Sequence, residues 1–272
     1  MKIPEFRKYA RLCDLVLGLF TGRHIPIVVY SMGKVGSLAV YRSLQKCGAR
    51  PVFFSHTHVP SESARTAPGF DFMLQFYTPR FGGMDRNLHR WTLRKDRRID
   101  FITMVREPVA RNISDFFQNF KLYTGVDYEA NRFTTDELAR IFMDKFRHLT
   151  AQEWFDREMK GYVGIDVYAD DFPRDRGYVC LERGKYRLLL MKRELDSTVK
   201  ERVVAGFAGR KNFRLLMTNV SSDKEYGGCY ERFVGGVKLP EAYIDEMLGS
   251  KYARHFYTDA EIEAARSAWL RK

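Results

Sequence analysis

The chain has 272 residues, 45% of them hydrophobic, 14% aromatic and 29% charged. This balance gives enough apolar surface for a sizeable core and excludes long disorder, collagen, coiled coil and an all-helical membrane protein. Lysine and arginine exceed aspartate and glutamate by 12 charges, so the field around the molecule favours anionic partners: a nucleotide, an acidic glycan, nucleic acid or an anionic membrane surface. Nucleic acid is the weakest of these, because the cations are spread along the chain with neither zinc-finger spacing nor an RNP-like aromatic motif. Cys13, Cys47, Cys180 and Cys229 are too dispersed for a metal or redox pair and too few for a disulfide scaffold. A reducing, cytoplasmic compartment and no metal are the expectation.

No repeat or linker tract divides the chain, so a single domain over 1–272 is expected, with 1–24 as an N-terminal helical extension. The apolar run at 12–20 contains Asp14 and is followed by Gly22-Arg23-His24. It is too short and too polar at its edges to span a membrane and reads as an amphipathic helix. Residues 25–30 form a continuous apolar strand. They lead through Ser31-Met32-Gly33-Lys34-Val35-Gly36-Ser37 into a helix carrying Leu38, Val40, Tyr41 and Leu44, which Gly48 stops. A second strand at 51–54 ends at Ser55-His56-Thr57-His58.

A third strand at 99–105 passes through Arg106-Glu107-Pro108 into a helix over 109–120, with the proline suited to the first helical turn. Thr134 to Glu137 is a capping box for a helix that presents Leu138, Ile141, Phe142 and Phe146. A fourth strand covers 186–191, followed by a helix over 194–207. The last helix opens on the capping box Thr258 to Glu261 and runs to Trp269. Strands alternating with helices predict an α/β fold with a central, mostly parallel sheet flanked by helices.

In such sheets ligands sit at the carboxyl ends of the strands. The turn over 31–37 has two glycines, an internal lysine, a terminal serine and a helix N-terminus, all features of a phosphate cradle. It is not a Walker A loop, because Lys34 precedes the last glycine, Gly36. Arg106, Arg111 and Ser114 follow the third strand as Arg-Glu-Pro-x-x-Arg-x-x-Ser, a second cup able to meet a phosphate. An ordinary tight turn, a salt-bridged arginine and a surface serine are the alternatives for these residues.

Together these two motifs resemble those of sulfotransferases that use 3′-phosphoadenosine-5′-phosphosulfate (PAPS). Their 5′-phosphosulfate loop is similar to Tyr30 to Ser37, and their 3′-phosphate motif, an arginine with a serine eight residues later, is similar to Arg106 with Ser114. Segments around 105–119, 153–156, 164–168 and 250–257, with Trp269, resemble a bacterial branch described as putative capsular polysaccharide synthesis proteins. The resemblance implies a P-loop-NTPase-like three-layer fold. It also implies PAPS as cofactor, with 3′-phosphoadenosine-5′-phosphate (PAP) as product, and a saccharide or other hydroxyl acceptor, anionic ones included.

It further implies that Ser31, Met32, Gly33, Lys34, Val35, Gly36 and Ser37 hold the 5′ side, with Lys34 at the bridging oxygen. Arg106 and Ser114 hold the 3′-phosphate, with a contribution from Lys224. The base is expected at His58, then His56, because some uronyl 2-O-sulfotransferases resemble this sequence in a His-x-His at the second strand's end. Neutral imidazole suits proton removal near pH 7, and Glu62 is the nearest acid along the chain. Residues 80–98 are strongly basic and read either as an acceptor-facing segment or as a solvated helix face. Tyr252, His255, Phe256 and Tyr257 read as packing or structural polar contacts. A non-catalytic nucleotide- or polyanion-binding protein and a phosphoryl-transfer enzyme are the competing readings.

Overall fold

A computed structural model describes residues 23–48, 51–56, 98–127, 132–216 and 227–271. His58, Glu62, Lys224, the N-terminal extension through residue 22 and the basic run through residue 97 lie outside the described residues.

The apolar run of the first strand folds as β1 (Ile27–Tyr30), buried along its whole length. α1 (Ser37–Lys46) follows, and β2 (Val52–Ser55) returns parallel to β1 with Ile27 opposite Val52. β3 (Ile99–Val105) lies on the other side of β1, also parallel, with Ile27 opposite Asp100. A strand buried on both faces needs an apolar side chain at every position. Asp100 and Thr103 are the exceptions in β3: Thr103 Oγ1 accepts from Ser31 Oγ at 3.4 Å, and Asp100 is neutralised across the sheet by Arg187, whose Nε donates to Asp100 Oδ1 at 3.0 Å.

α2 (Pro108–Gln118) and α3 (Phe120–Thr124) follow β3. α4 (Thr135–Lys145) starts on the expected capping box, with Thr134 and Glu137 each bonding the other's backbone N–H. α5 (Thr150–Trp154) runs into a π-helical stretch, Phe155–Val163. β4 (Tyr178–Arg183) and β5 (Tyr186–Lys192) form a hairpin through Gly184, whose φ of 55° suits the tight connection. α6 (Ser197–Ala208), α7 (Gly227–Gly236), α8 (Glu241–Leu248), α9 (Lys251–Phe256) and α10 (Asp259–Leu270) complete the described elements.

The sheet order is β2-β1-β3-β5-β4, parallel except for the β4 edge. The α/β expectation of a mostly parallel sheet flanked by helices is therefore met at that level. β4 was not anticipated, because its apolar run, Tyr178 to Leu181, is short, gives way to Glu182-Arg183 and is only partly buried. α6 starts at Ser197 rather than 194, because the Asp196 carboxylate accepts from the Thr198 and Val199 amides and fixes the first turn there.

One apolar cluster surrounds the sheet. A second is formed largely by helices and holds Phe116, Phe117, Phe120, Phe142 and Phe233 in edge and tilted ring contacts. α2 connects the two regions: its N-terminus follows β3, while Val109, Ile113, Phe116 and Phe117 pack into the helical cluster. Among the described residues no helix is long and apolar enough to cross a membrane.

Candidate functional site

The chain leaves β1 for β2 on one side, while β3 lies on the other. The carboxyl ends of β1 and β3 therefore carry loops that part from one another, and such a switch point leaves a crevice above the sheet. Both motifs singled out in the sequence, the turn after Tyr30 and the turn after Val105, stand at this point.

The first turn leaves amides open. Gly36 caps α1 in the left-handed region, with φ of 86°, and has no side chain to satisfy the first helical N–H groups. Its own N–H and that of Ser37 donate to no backbone carbonyl among the described residues. Lys34 also lies in the left-handed region, with φ of 72°, the one described residue other than glycine to do so. Such a conformation costs about 1–2 kcal/mol, and it persists because the loop carbonyls are tied down. Arg106 Nη1 donates to Lys34 O at 3.1 Å, Arg111 Nε donates to Gly33 O at 3.3 Å, and Lys34 Nζ donates to Gln118 Oε1 at 3.2 Å.

The second turn is closed to anions at its amides and open at its guanidinium. Glu107 caps α2, accepting from Val109 N at 2.7 Å and Ala110 N at 2.8 Å, and Trp269 Nε1 adds a third donor at 3.2 Å. Burial raises the pKa of this carboxyl, opposed by those donors. Arg106 is 7% exposed, and its Nε is buried with no hydrogen-bond partner among the described residues. A buried, unpaired charged donor is costly, which marks it as waiting for an acceptor. Its backbone is fixed from both sides by Tyr252, whose hydroxyl accepts from Arg106 N at 3.0 Å and donates to Arg106 O at 2.9 Å. Tyr252 thus has the structural polar role expected of it.

A third strand end adds a cation that sequence reasoning missed. Arg193, just beyond β5, donates its amide to Val105 O at 2.7 Å. Its side chain lies over Gly36, where a Cβ would meet Arg193 Cγ and Nε at 3.6 Å. Burial and the charge of Arg106 both lower its pKa, as expected of two guanidiniums brought together. Lys200 is lowered by burial and by Arg193 in the same way. The signal available in the sequence was positional, a cation immediately after an apolar strand, but the Lys192-Arg193-Glu194 run gave no motif to set it apart.

The other expected residues divide between site and scaffold. Ser31 is fully buried, and its Oγ accepts from Met104 N at 3.0 Å, fastening β1 to β3. Met32 and Val35 are core residues, 1% and 0% exposed, so only their backbone is placed to meet a ligand. Ser37 is buried in the first turn of α1, and Ser114 is buried on α2. Arg111 spends its guanidinium inside the protein, on Gly33 O, on Asn112 Oδ1 at 3.0 Å and on Asp115 Oδ2 at 2.8 Å, so it holds the loop.

His56 stands at the end of β2, and its Nδ1 is 2.6 Å from the carbonyl of Ser31. A carbonyl only accepts, so this geometry assigns the proton to Nδ1 and the basic lone pair to Nε2. Burial lowers its pKa, with the Ser31 hydrogen bond and Asp115 opposing and Arg111 and Lys34 adding. The ring is therefore neutral at pH 7. Trp154 Nε1 donates to His56 O at 2.8 Å. Beneath this corner Tyr30 donates its hydroxyl to the fully buried Glu158, which Arg157 Nε also meets at 3.1 Å.

The crevice thus gathers open helix amides, Lys34, Arg106, Arg193 and a neutral histidine. Chemically it is suited to hold a polyanion and to take a proton beside it. No curated protein and no solved structure matched the chain in the comparisons. A family model described as "Putative capsular polysaccharide synthesis protein" matches residues 125–258, a span similar to that family that contains Arg193 and Tyr252 but neither the 31–37 turn nor Arg106.

Proposed function

We propose that the protein is a PAPS-dependent sulfotransferase that acts on a hydroxyl of a saccharide or polysaccharide. The observation that carries this reading is the buried, unpartnered Nε of Arg106 beside the open amides of Gly36 and Ser37. These are two anion-seeking features on different strand ends, which suits a donor with separated phosphates. The family description matched by residues 125–258 supports a polysaccharide as acceptor.

The donor's groups fit the residues present. The amides of Gly36 and Ser37, with the Ser37 hydroxyl, hold the 5′-phosphate. Arg106, assisted by Ser114 and Lys224, holds the 3′-phosphate, and Arg193 adds charge to the same crevice. When bound, PAPS supplies an activated sulfuryl group. Lys34 offsets the negative charge that develops on the leaving oxygen. A histidine removes the proton of the acceptor hydroxyl: His58 by the His-x-His resemblance, or His56, whose Nδ1 bond to Ser31 already leaves Nε2 as its basic atom.

The test is transfer from sulfur-labelled PAPS to a panel of capsular and other bacterial polysaccharides. Labelled glycan is expected with the wild type and its loss with Lys34→Ala. His56→Ala and His58→Ala identify the base by which of them abolishes transfer while PAP still binds. Absence of label across the panel, or undiminished transfer by Lys34→Ala, overturns the reading. Binding of ATP with magnesium in place of PAP points instead to phosphoryl transfer.

A further inference from the structure

A second cleft of about 550 Å³ opens away from the strand ends, between the turn joining α4 to α5 and the first turns of α8. Its size falls within the range of small-molecule sites. Its wall is largely apolar: Leu149 is 40% exposed there, a large hydrophobic side chain left facing water, and the nearly buried Tyr243 also lines it. Its rim is polar. Arg147 Nη2 and Glu153 Oε2 pair at 2.5 Å, and Glu246 adds a second carboxylate.

The charges at the rim decide what the cleft accepts. Arg157 Nη1 also reaches Glu153 Oε2, at 3.8 Å, so two arginines stand against two glutamates and the rim carries no net charge in a chain of net charge +12. A charged ligand, drawn as an anion to the strand ends, gains no net attraction here. Apolar faces with carboxylate acceptors and a guanidinium donor at their edge match a ring that has C–H faces and equatorial hydroxyls. We propose that this cleft binds an uncharged sugar unit of the acceptor glycan. The inference rests on the glycan-acceptor reading above and narrows it from acidic to neutral units.

The cleft wall is held firmly and is tied through buried side chains to the loop of the anion crevice. His148 Nε2 meets Met143 O at 3.3 Å and so carries the proton, which leaves Nδ1 to accept from the Tyr243 hydroxyl at 3.1 Å. Burial lowers the His148 pKa and keeps the ring neutral, consistent with that arrangement. The same Tyr243 hydroxyl accepts from Asn112 Nδ2 at 3.2 Å, Asn112 Oδ1 accepts from Arg111 Nη1, and Arg111 Nε holds Gly33 O in the first turn. Three hydrogen bonds therefore join the cleft wall to the loop.

The experiment is saturation-transfer NMR on the whole chain with methyl glucoside, methyl galactoside and methyl N-acetylglucosaminide at about 10 mM, a concentration suited to the weak affinities of single sugar units. Glucuronate and glucosamine serve as charged counterparts, and PAP binding is measured in parallel. Saturation of at least one neutral glycoside is expected, with little from glucuronate. Leu149→Asp, an exposed site, abolishes it, and Glu246→Gln weakens it about tenfold, with PAP affinity unchanged in both. The inference is overturned if no neutral glycoside binds, if Leu149→Asp retains full binding, or if only a charged sugar binds. PAP binding without sugar binding sinks the cleft and spares the donor reading, whereas sugar binding without PAP binding does the reverse.

Discussion

Lys34 allows the strain at the candidate site to be separated from its chemistry. With φ of 72° it occupies a conformation that glycine adopts freely and lysine does not. Replacing it by alanine removes the ammonium and the hydrogen bond to Gln118 Oε1 but keeps the Cβ and hence the strain. Replacing it by glycine removes the same groups and the strain as well. The side-chain losses cancel between the two variants. What remains is relief of about 1–2 kcal/mol of left-handed backbone strain, less about 0.4–1 kcal/mol for the freer unfolded chain of a glycine variant.

Lys34→Gly is therefore expected to be more stable than Lys34→Ala by about 0.5–1 kcal/mol, read from urea unfolding midpoints at a common slope. Both variants are also expected to lose the proposed sulfuryl transfer. Such a pattern would mean that the chain tolerates a strained lysine for what its side chain does. A glycine variant no more stable than the alanine variant would refute the strain argument. Full transfer by either variant would refute the role given to the ammonium.

Arg106→Met is expected to weaken PAP binding about 10- to 100-fold, the loss of one charge-assisted hydrogen bond. It leaves unfolding stability within about 1 kcal/mol, because the lost bond to Lys34 O is offset by removal of an unpaired buried N–H. Calorimetry and urea unfolding check the two halves. Arg193→Ala, which alters a side chain reaching solvent, weakens PAP binding about fivefold at low salt, and the difference shrinks as ionic strength rises. Thermal unfolding checks a pH effect. His56, His148 and His255 all have pKa values lowered by burial. Their stabilising contribution is complete above the unfolded value near 6.5 and is lost as pH falls below it, when the unfolded chain takes up protons that the fold refuses. Glu107, raised by burial, works in the opposite sense nearer its ordinary value of 4.5. The unfolding temperature is thus expected to fall between pH 7.5 and 6, and a rise would contradict the neutral-histidine assignments.

Elements whose local and tertiary requirements coincide were legible in the sequence. β1 is a continuous apolar run and β3 and β5 are predominantly apolar because both faces are covered, and the capping boxes at Thr134 and Thr258 fix helix starts by bonds within four residues. β4 escaped because, at the sheet edge, its apolar run is only four residues long and partly exposed. At the site, the glycine-bearing turn and Arg106 were legible from position and residue type. Two things were not. The burial of the Ser31 hydroxyl between β1 and β3 depends on strand pairing across 72 residues of chain, and the approach of Arg193 to Gly36 depends on β5 lying beside β3. Both follow from sheet order, which no local pattern encodes.

The crevice between the first and third strand ends is proposed to hold a nucleotide with a 3′-phosphate. Calorimetric titration of the wild-type chain with PAP, AMP and ATP, with and without magnesium, tests it most directly. PAP is expected to bind saturably, independently of magnesium and at least tenfold tighter than AMP, since one charge-assisted contact to Arg106 is worth about that factor. Equal affinity for PAP and AMP, or binding of ATP alone with magnesium, would contradict it.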